Sequence, residues 1–309
     1  MRRRANAPTP TTSGTNPSPD RLRRLGARIT EWGADHRREF PWRQTADPWQ
    51  ILVSEVMLQQ TQADRVVSYY ESFLQAFPTP TDCAQARSAD VVRIWSGLGY
   101  NRRALNLHRA AQAIVTEHAG VIPDNDQALR SLPGIGPATA RAIRSFAFGA
   151  DVAVLDTNVI RVLSRAINAA PLTPMQAATL ADRLVPAGRS WEFNQALFDL
   201  GATVCTPRPD CAECPLARMC QWHKSGLADP DPWRATPAAR PQSRFAGSDR
   251  QGRGQLLKVL RDHALVQDQL AAACGWPDDP VRANRIAADL VAEGFAEWSP
   301  DEPAQLQLR

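Results

Sequence analysis

The chain has 309 residues, 43% apolar and 22% charged, which excludes collagen-like, coiled-coil and wholly disordered proteins. No stretch reaches the ~20 uninterrupted apolar residues of a membrane-spanning helix, so no membrane partner is expected. The formal net charge is +4, residues 1–50 hold ten Arg against five Asp or Glu, and Lys224 and Lys258 are the only lysines. Arginine forks bidentately onto phosphate, so this surplus suits a nucleic acid, although a GC-rich genome would produce the same bias.

Residues 1–19 are rich in Arg, Thr, Ser and Pro and contain no acid, a composition that predicts a disordered basic tail. There is no apolar core of a secretory signal, so the cytoplasm, beside the nucleoid, is the expected compartment. Helical periodicity then dominates residues 20–225. Asp20 is the expected N-cap before Leu22, Leu25 and Ile29. Residues 50–60 form a nearly all-apolar helix ending in Gln59, Gln60 and Thr61. Val66, Tyr70, Phe73 and Phe77 recur at helical spacing. Ser88 is the expected cap of a helix carrying Val91, Val92 and Trp95. Further helices are expected up to Gly120 and over about 125–131, 137–148, 157–168, 174–185 and 191–203. Pro230, Pro232, Pro237 and Pro241 mark a linker over 226–247. Three helices, near 248–260, 265–274 and 280–292, and a hairpin over Phe295–Leu308 then resemble a winged-helix module spanning 248–309.

Four stretches carry chemistry. Leu132-Pro133-Gly134-Ile135-Gly136 joins two helices. Its glycines permit a tight turn with positive φ, and the N–H groups at the start of the second helix favour an anion. This is the helix-hairpin-helix pattern that holds a DNA phosphate without reading sequence. The cysteines Cys205, Cys211, Cys214 and Cys220 lie within sixteen residues, while Cys83 and Cys274 stand apart. Four close thiols in a large chain read as a metal site; from spacing alone, zinc and an iron–sulfur cluster fit equally. Glu55 lies in the apolar helix before Gln59. A buried carboxylate has its pKa raised and can serve as a general acid, although pairing with Arg is the plainer role. Asp156 follows Val154-Leu155 and opens a helix, a natural N-cap position. One neutral acid and one ionised carboxylate suit glycosidic-bond cleavage through an oxocarbenium-like transition state.

Taken in order, SEVMLQQTQ, GLGY, LPGIG, LDTNVIRVL and the cysteine cluster resemble the MutY-type adenine DNA glycosylases of the helix-hairpin-helix superfamily. The resemblance runs from Phe40-Pro41-Trp42-Arg43 to Cys220. It implies an all-α, two-lobed glycosylase fold over 20–225, acting as a monomer on mismatched double-stranded DNA. It implies that Glu55 protonates a flipped adenine and that Asp156 stabilises the sugar cation. Gln59, Gln60, Thr61, Tyr100, Leu132, Gly134, Gly136 and Asn158 would contact DNA. Cys205, Cys211, Cys214 and Cys220 would hold a [4Fe-4S] cluster. The implied substrate is adenine opposite 8-oxoguanine or guanine. Other readings are a thymine/uracil mismatch glycosylase, a non-catalytic DNA-binding iron–sulfur protein, and a redox role for the cluster. Four features depart from the family pattern. Ala138 stands where lyase-active relatives carry Lys. Thr157 replaces a Gly beside the Asp. The first cysteine spacing is one residue short. Residues 221–309 do not resemble the Nudix-like domain of longer members.

Overall fold

A computed structural model describes residues 17–231 and 244–309, so the expected tail and most of the expected linker lie outside the described residues. The helices are α1 (Pro19–His36), α2 (Pro48–Leu58), α3 (Ala63–Ala76), α4 (Pro80–Gln85), α5 (Ser88–Ile94), α6 (Arg102–His118), α7 (Asp126–Ser131) and α8 (Pro137–Phe146). There follow α9 (Thr157–Leu163), α10 (Pro174–Asp182), α11 (Ser190–Asp199), α12 (Gln221–Ser225), α13 (Asp249–Leu260), α14 (Leu270–Ala273) and α15 (Pro280–Glu293). Three short strands are β1 (Leu265–Val266), β2 (Ala296–Trp298) and β3 (Gln305–Leu308). The described residues divide into two compact units, one of residues 17–38 with 151–231, the other of 39–150 with 244–309.

The first unit is built on α1 lying against α11. Ser18, not Asp20, caps α1: its hydroxyl accepts the N–H of Arg21 at 3.3 Å. Pro19 explains the shift, because proline is pre-set for the first helical position and needs no N–H partner there. Asp20 then sits in the first turn, at the positive end of the helix dipole. Two glycines bring α1 close to its neighbours. A Cβ on Gly26 would lie 1.9 Å from the Leu184 carbonyl oxygen, and one on Gly33 2.3 Å from the Ala196 Cβ. Leu22, Leu25, Ile29, Val162, Phe193 and Leu197 fill the core. Fully buried Asp199 accepts from the Arg38 backbone N–H at 3.0 Å and from its Nε at 2.7 Å. Helices α9 and α11 each run on into a π-helical turn, over Ser164–Asn168 and Leu200–Val204.

The second unit surrounds α2, which is apolar on nearly every side and is therefore buried. Asp47 caps it by accepting from the N–H groups of Trp49 and Gln50. The rings of Trp49, Phe73, Phe77 and Trp95 pack edge to face or tilted. Ser88 is the first residue of α5 rather than its cap. Its hydroxyl instead donates to the Arg309 carbonyl, and Arg87 holds the cap position without a side-chain bond. The C-terminal module contains α13 to α15 and a three-stranded antiparallel sheet in the order β1-β3-β2. Leu265 and Val266, expected in a helix, pair with Leu306 and Gln305 as a strand, and the rest of that stretch is a 3-10 turn over Gln267–Gln269 leading into the short α-helix Leu270–Ala273. An apolar pair that includes β-branched Val266 and has an open partner strand gains more from the ladder than from a short helix. Glu293 ties the module to α6: it receives Arg102 at 2.9 Å and Arg253 at 2.8 Å, and its carbonyl accepts Arg109 at 2.9 Å.

Candidate active site

The hairpin lies in the second unit. Leu132 is buried and ends α7. Gly134 has φ +79, a conformation L side chains rarely adopt, and a Cβ there would lie 2.7 Å from the Cβ of Asn106. Gly136, expected to need the same freedom, has φ −91. Its backbone is ordinary, and no atom lies within 4 Å of where its Cβ would stand. It caps α8 with Pro137 at the first position, so the following free N–H groups, with exposed Ala138, form an open helix start suited to an anion.

Glu55 sits half-buried on α2, with Ser54, Val56 and Met57 buried around it. One turn later the chain leaves the helix at Gln59, whose Nε2 donates to Thr139 Oγ1 at 3.5 Å. Gln60 is exposed and left-handed at φ +56. Thr61 Oγ1 accepts from Arg103 at 3.1 Å. Tyr100 is likewise left-handed at φ +49 and 57% exposed, the largest exposed aromatic of its loop. Residues that sequence reasoning places on DNA thus include two non-glycines in a sparsely populated backbone region.

Asp156 belongs to the first unit. It caps α9, accepting the Val159 N–H at 2.6 Å and the Asn158 Nδ2 at 3.3 Å. The residue keeps solvent-exposed surface. Desolvation by the surrounding protein nevertheless raises its pKa, outweighing the opposing N–H bonds and the charge of Arg161. Asn158 is not a free polar group: its Oδ1 accepts Arg161 Nη2 at 2.8 Å. Arg161 in turn donates to the carbonyls of Cys205 and Gly201, both at 2.8 Å. A continuous hydrogen-bond chain therefore joins Asp156 to the first cysteine.

Cys205, Cys211, Cys214 and Cys220 border one largely enclosed cavity, walled by Val162, Leu200, Leu216 and Trp222. Among the described residues no three His, Cys, Asp or Glu side chains are placed to hold a single metal ion. Burial pushes the thiols of Cys205 and Cys220 up and that of Cys214 to about 11, so binding a metal would release protons. Arg165, 1% exposed, lies beside this cavity. It grips Asp229 at 2.8 and 2.6 Å, donates to the Thr206 carbonyl at 2.6 Å and reaches Cys205 Sγ at 3.4 Å. Burial pulls its pKa down, but Asp229 and Cys205 more than offset that. Asp229 holds the head of the proline-rich stretch to this unit, and the N–H of buried Asp231 donates to the same carboxylate.

The hairpin, Asp156 and the four cysteines follow one another in that order along the chain. Residues 53–187 match the HhH-GPD superfamily of base excision DNA repair proteins. An adenine DNA glycosylase from Mycolicibacterium smegmatis is 41% identical over 278 residues, covering 88% of this chain and 92% of that protein. The chain belongs to the adenine DNA glycosylases. It is also similar to a thymine/uracil-DNA glycosylase from Methanothermobacter thermautotrophicus, 33% identical over 202 residues, 63% of this chain and 91% of that one. A solved thermostable thymine-DNA glycosylase superposes with a TM-score of 0.62 at 30% identity, over 66% of this chain and 97% of that one. Within the family, Arg103, Arg161 and Arg165 escaped the sequence reading. Arg161 and Arg165 carried a signal, being spaced four apart inside the apolar run Val159–Ile167. Arg103, beside Arg102 in a polar segment, carried none.

Proposed function

We propose that the chain removes adenine mispaired with 8-oxoguanine or guanine, leaving an abasic site in an intact strand. The observation that carries this reading is local. Helix α2 presents Glu55, flanked by buried residues, one turn before a Gln59-Gln60-Thr61 stretch whose middle residue is exposed and left-handed. A carboxyl group on this helix can act as the acid that passes a proton to a ring nitrogen of a flipped adenine. The C–N bond then breaks with the electron pair leaving on the base. Asp156, ionised, stabilises the positive sugar. Water adds to the sugar carbon, and its proton returns to a carboxylate. The open start of α8 at Gly136 and Ala138 holds a backbone phosphate without reading sequence.

The four cysteines fit a [4Fe-4S] cluster. The donor set is all thiol, the cavity walls are apolar, and Arg165 points a guanidinium at one sulfur. When bound, the cluster would supply four iron–thiolate bonds that fix the 205–220 loop. The chemistry assigned to Glu55 and Asp156 does not pass through it.

The test is a base-release assay on duplexes carrying adenine, thymine or uracil opposite 8-oxoguanine, guanine or cytosine. Adenine release is expected from the first two contexts. Glu55→Gln and Asp156→Asn should each lower it by ~10²-fold or more while DNA binding survives. Release of thymine or uracil with adenine left intact would overturn the assignment.

A further inference from the structure

We infer that Arg103 is a positioning residue that holds the two exposed loops of the second unit, Gln59–Thr61 and Gly97–Tyr100, in one shared shape, and so sets opposite-base discrimination. The inference rests on the adenine-glycosylase reading for its consequence, but not for its geometry.

Arg103 is the second residue of α6 and is 8% exposed. Its Nη1 donates to the carbonyls of Val56 at 3.0 Å, Met57 at 2.7 Å and Gln59 at 2.5 Å. Its Nη2 donates to Thr61 Oγ1 and to the Gly99 carbonyl, both at 3.1 Å. The first acceptors are the carbonyls a helix leaves unpaired in its last turn, at the negative end of its dipole. Arg103 therefore caps α2 from another helix. With its second nitrogen it ties that end to a loop some forty residues further along.

The anchored atoms flank the two strained residues. Gln60, at φ +56, lies between anchored Gln59 and anchored Thr61, and Tyr100, at φ +49, follows anchored Gly99. Non-glycine residues persist in this region only where surrounding structure over-determines them. Arg103 is common to both. The Gly99 carbonyl also accepts Trp95 Nε1 at 3.2 Å. The guanidinium lies 5.4 Å from the Trp95 ring and 5.5 Å from that of Tyr100. All five acceptors are neutral, so the bonding is directional rather than a charge pair. Lysine, with one nitrogen and no fork, cannot span both loops.

The experiment compares Arg103→Lys and Arg103→Ala with the wild type by amide hydrogen exchange and by base release. Exchange should quicken by about tenfold or more at residues 58–62 and 97–101 together, although the two loops are far apart in sequence. The preference for 8-oxoguanine over cytosine opposite adenine should collapse by about tenfold or more, while undamaged-duplex binding changes little. Millimolar guanidinium should restore part of that preference to Arg103→Ala. Faster exchange in only one loop, or in neither, overturns the clamp. Coupled exchange with unchanged preference overturns its role in discrimination. A wild type that releases no adenine, with the exchange coupled, refutes the functional reading and leaves the clamp standing.

Discussion

Replacing Arg165 by Met tests how unit 1 is held around the cysteines. The side chain is 1% exposed and its partner Asp229 12%. Methionine fills similar volume but removes the paired bonds to Asp229 and the bond to the Thr206 carbonyl. It also leaves a carboxylate in poorly solvated surroundings. Breaking a buried pair in this way costs about 3–5 kcal/mol, a large part of a typical total of about 5–15. With a urea slope of about 2–3 kcal/mol per M, the midpoint of unit 1 should fall by about 1–2 M. The assay is urea unfolding followed by amide hydrogen exchange in α1 and α11, which belong to the first unit. Asp229→Asn should cost less, because Arg165 keeps its carbonyl partners. The double variant should lose less than the sum, by about 1–3 kcal/mol. A midpoint shift under about 0.4 M, or strictly additive variants, would refute the argument that this pair is a buried clamp.

Other outcomes follow from the same geometry. Gly134→Ala meets a left-handed penalty of about 1–2 kcal/mol and the crowding against Asn106; fluorescence anisotropy over a salt series should show weaker DNA binding, whereas Gly136→Ala, with open space around it, should leave stability unchanged. At Glu293 burial pushes the pKa up, but Arg102 and Arg253 outweigh it and hold it below the usual glutamate value. Its contribution is therefore complete above the unfolded value of 4.5 and lost as the pH falls below that; limited pepsin digestion should show the C-terminal module loosening over that window, and Glu293→Gln should remove the pH dependence. Purified protein should be yellow-brown with about four irons per chain, and colourless, active, zinc-loaded protein would sink the cluster assignment. Strand cleavage should be inefficient, because the exposed hairpin position is Ala138 and the lysines sit on α12 and α13; a strong borohydride-trapped adduct that disappears on mutating Lys224 or Lys258 would contradict this.

Elements with strong periodicity were readable from the chain alone. The apolar run of α2, the LPGIG turn and the cap at Asp156 each carry a local reason that no distant contact has to supply. The start of α1 was misplaced by two residues because Asp20 and Ser18 are both good caps, and the intervening Pro19 decides between them. Leu265–Val266 pass for helix until their partner strand, some forty residues away, is known. Gly136 looks equivalent to Gly134 in sequence, yet only Gly134 adopts the left-handed conformation. Arg103 was invisible for a deeper reason. Its acceptors are mainly backbone carbonyls, which every residue possesses, so no side-chain pattern marks the site. Arg161 and Arg165 differ in this respect, since two arginines inside an apolar helix must find buried partners.

The discontinuity of the first unit has a consequence for synthesis. Helix α1 leaves the ribosome before the rest of its unit, and Asp199, which receives Arg38, follows that residue 161 residues later. At about 5–20 residues per second the interval is about 8–30 s. For that time Leu22, Leu25 and Ile29 have no α9 or α11 to cover them, while all of residues 39–150 emerge between. The nascent chain thus carries the uncovered apolar face of α1 while residues 39–150 are made, and that helix is among the last elements of its unit to be packed.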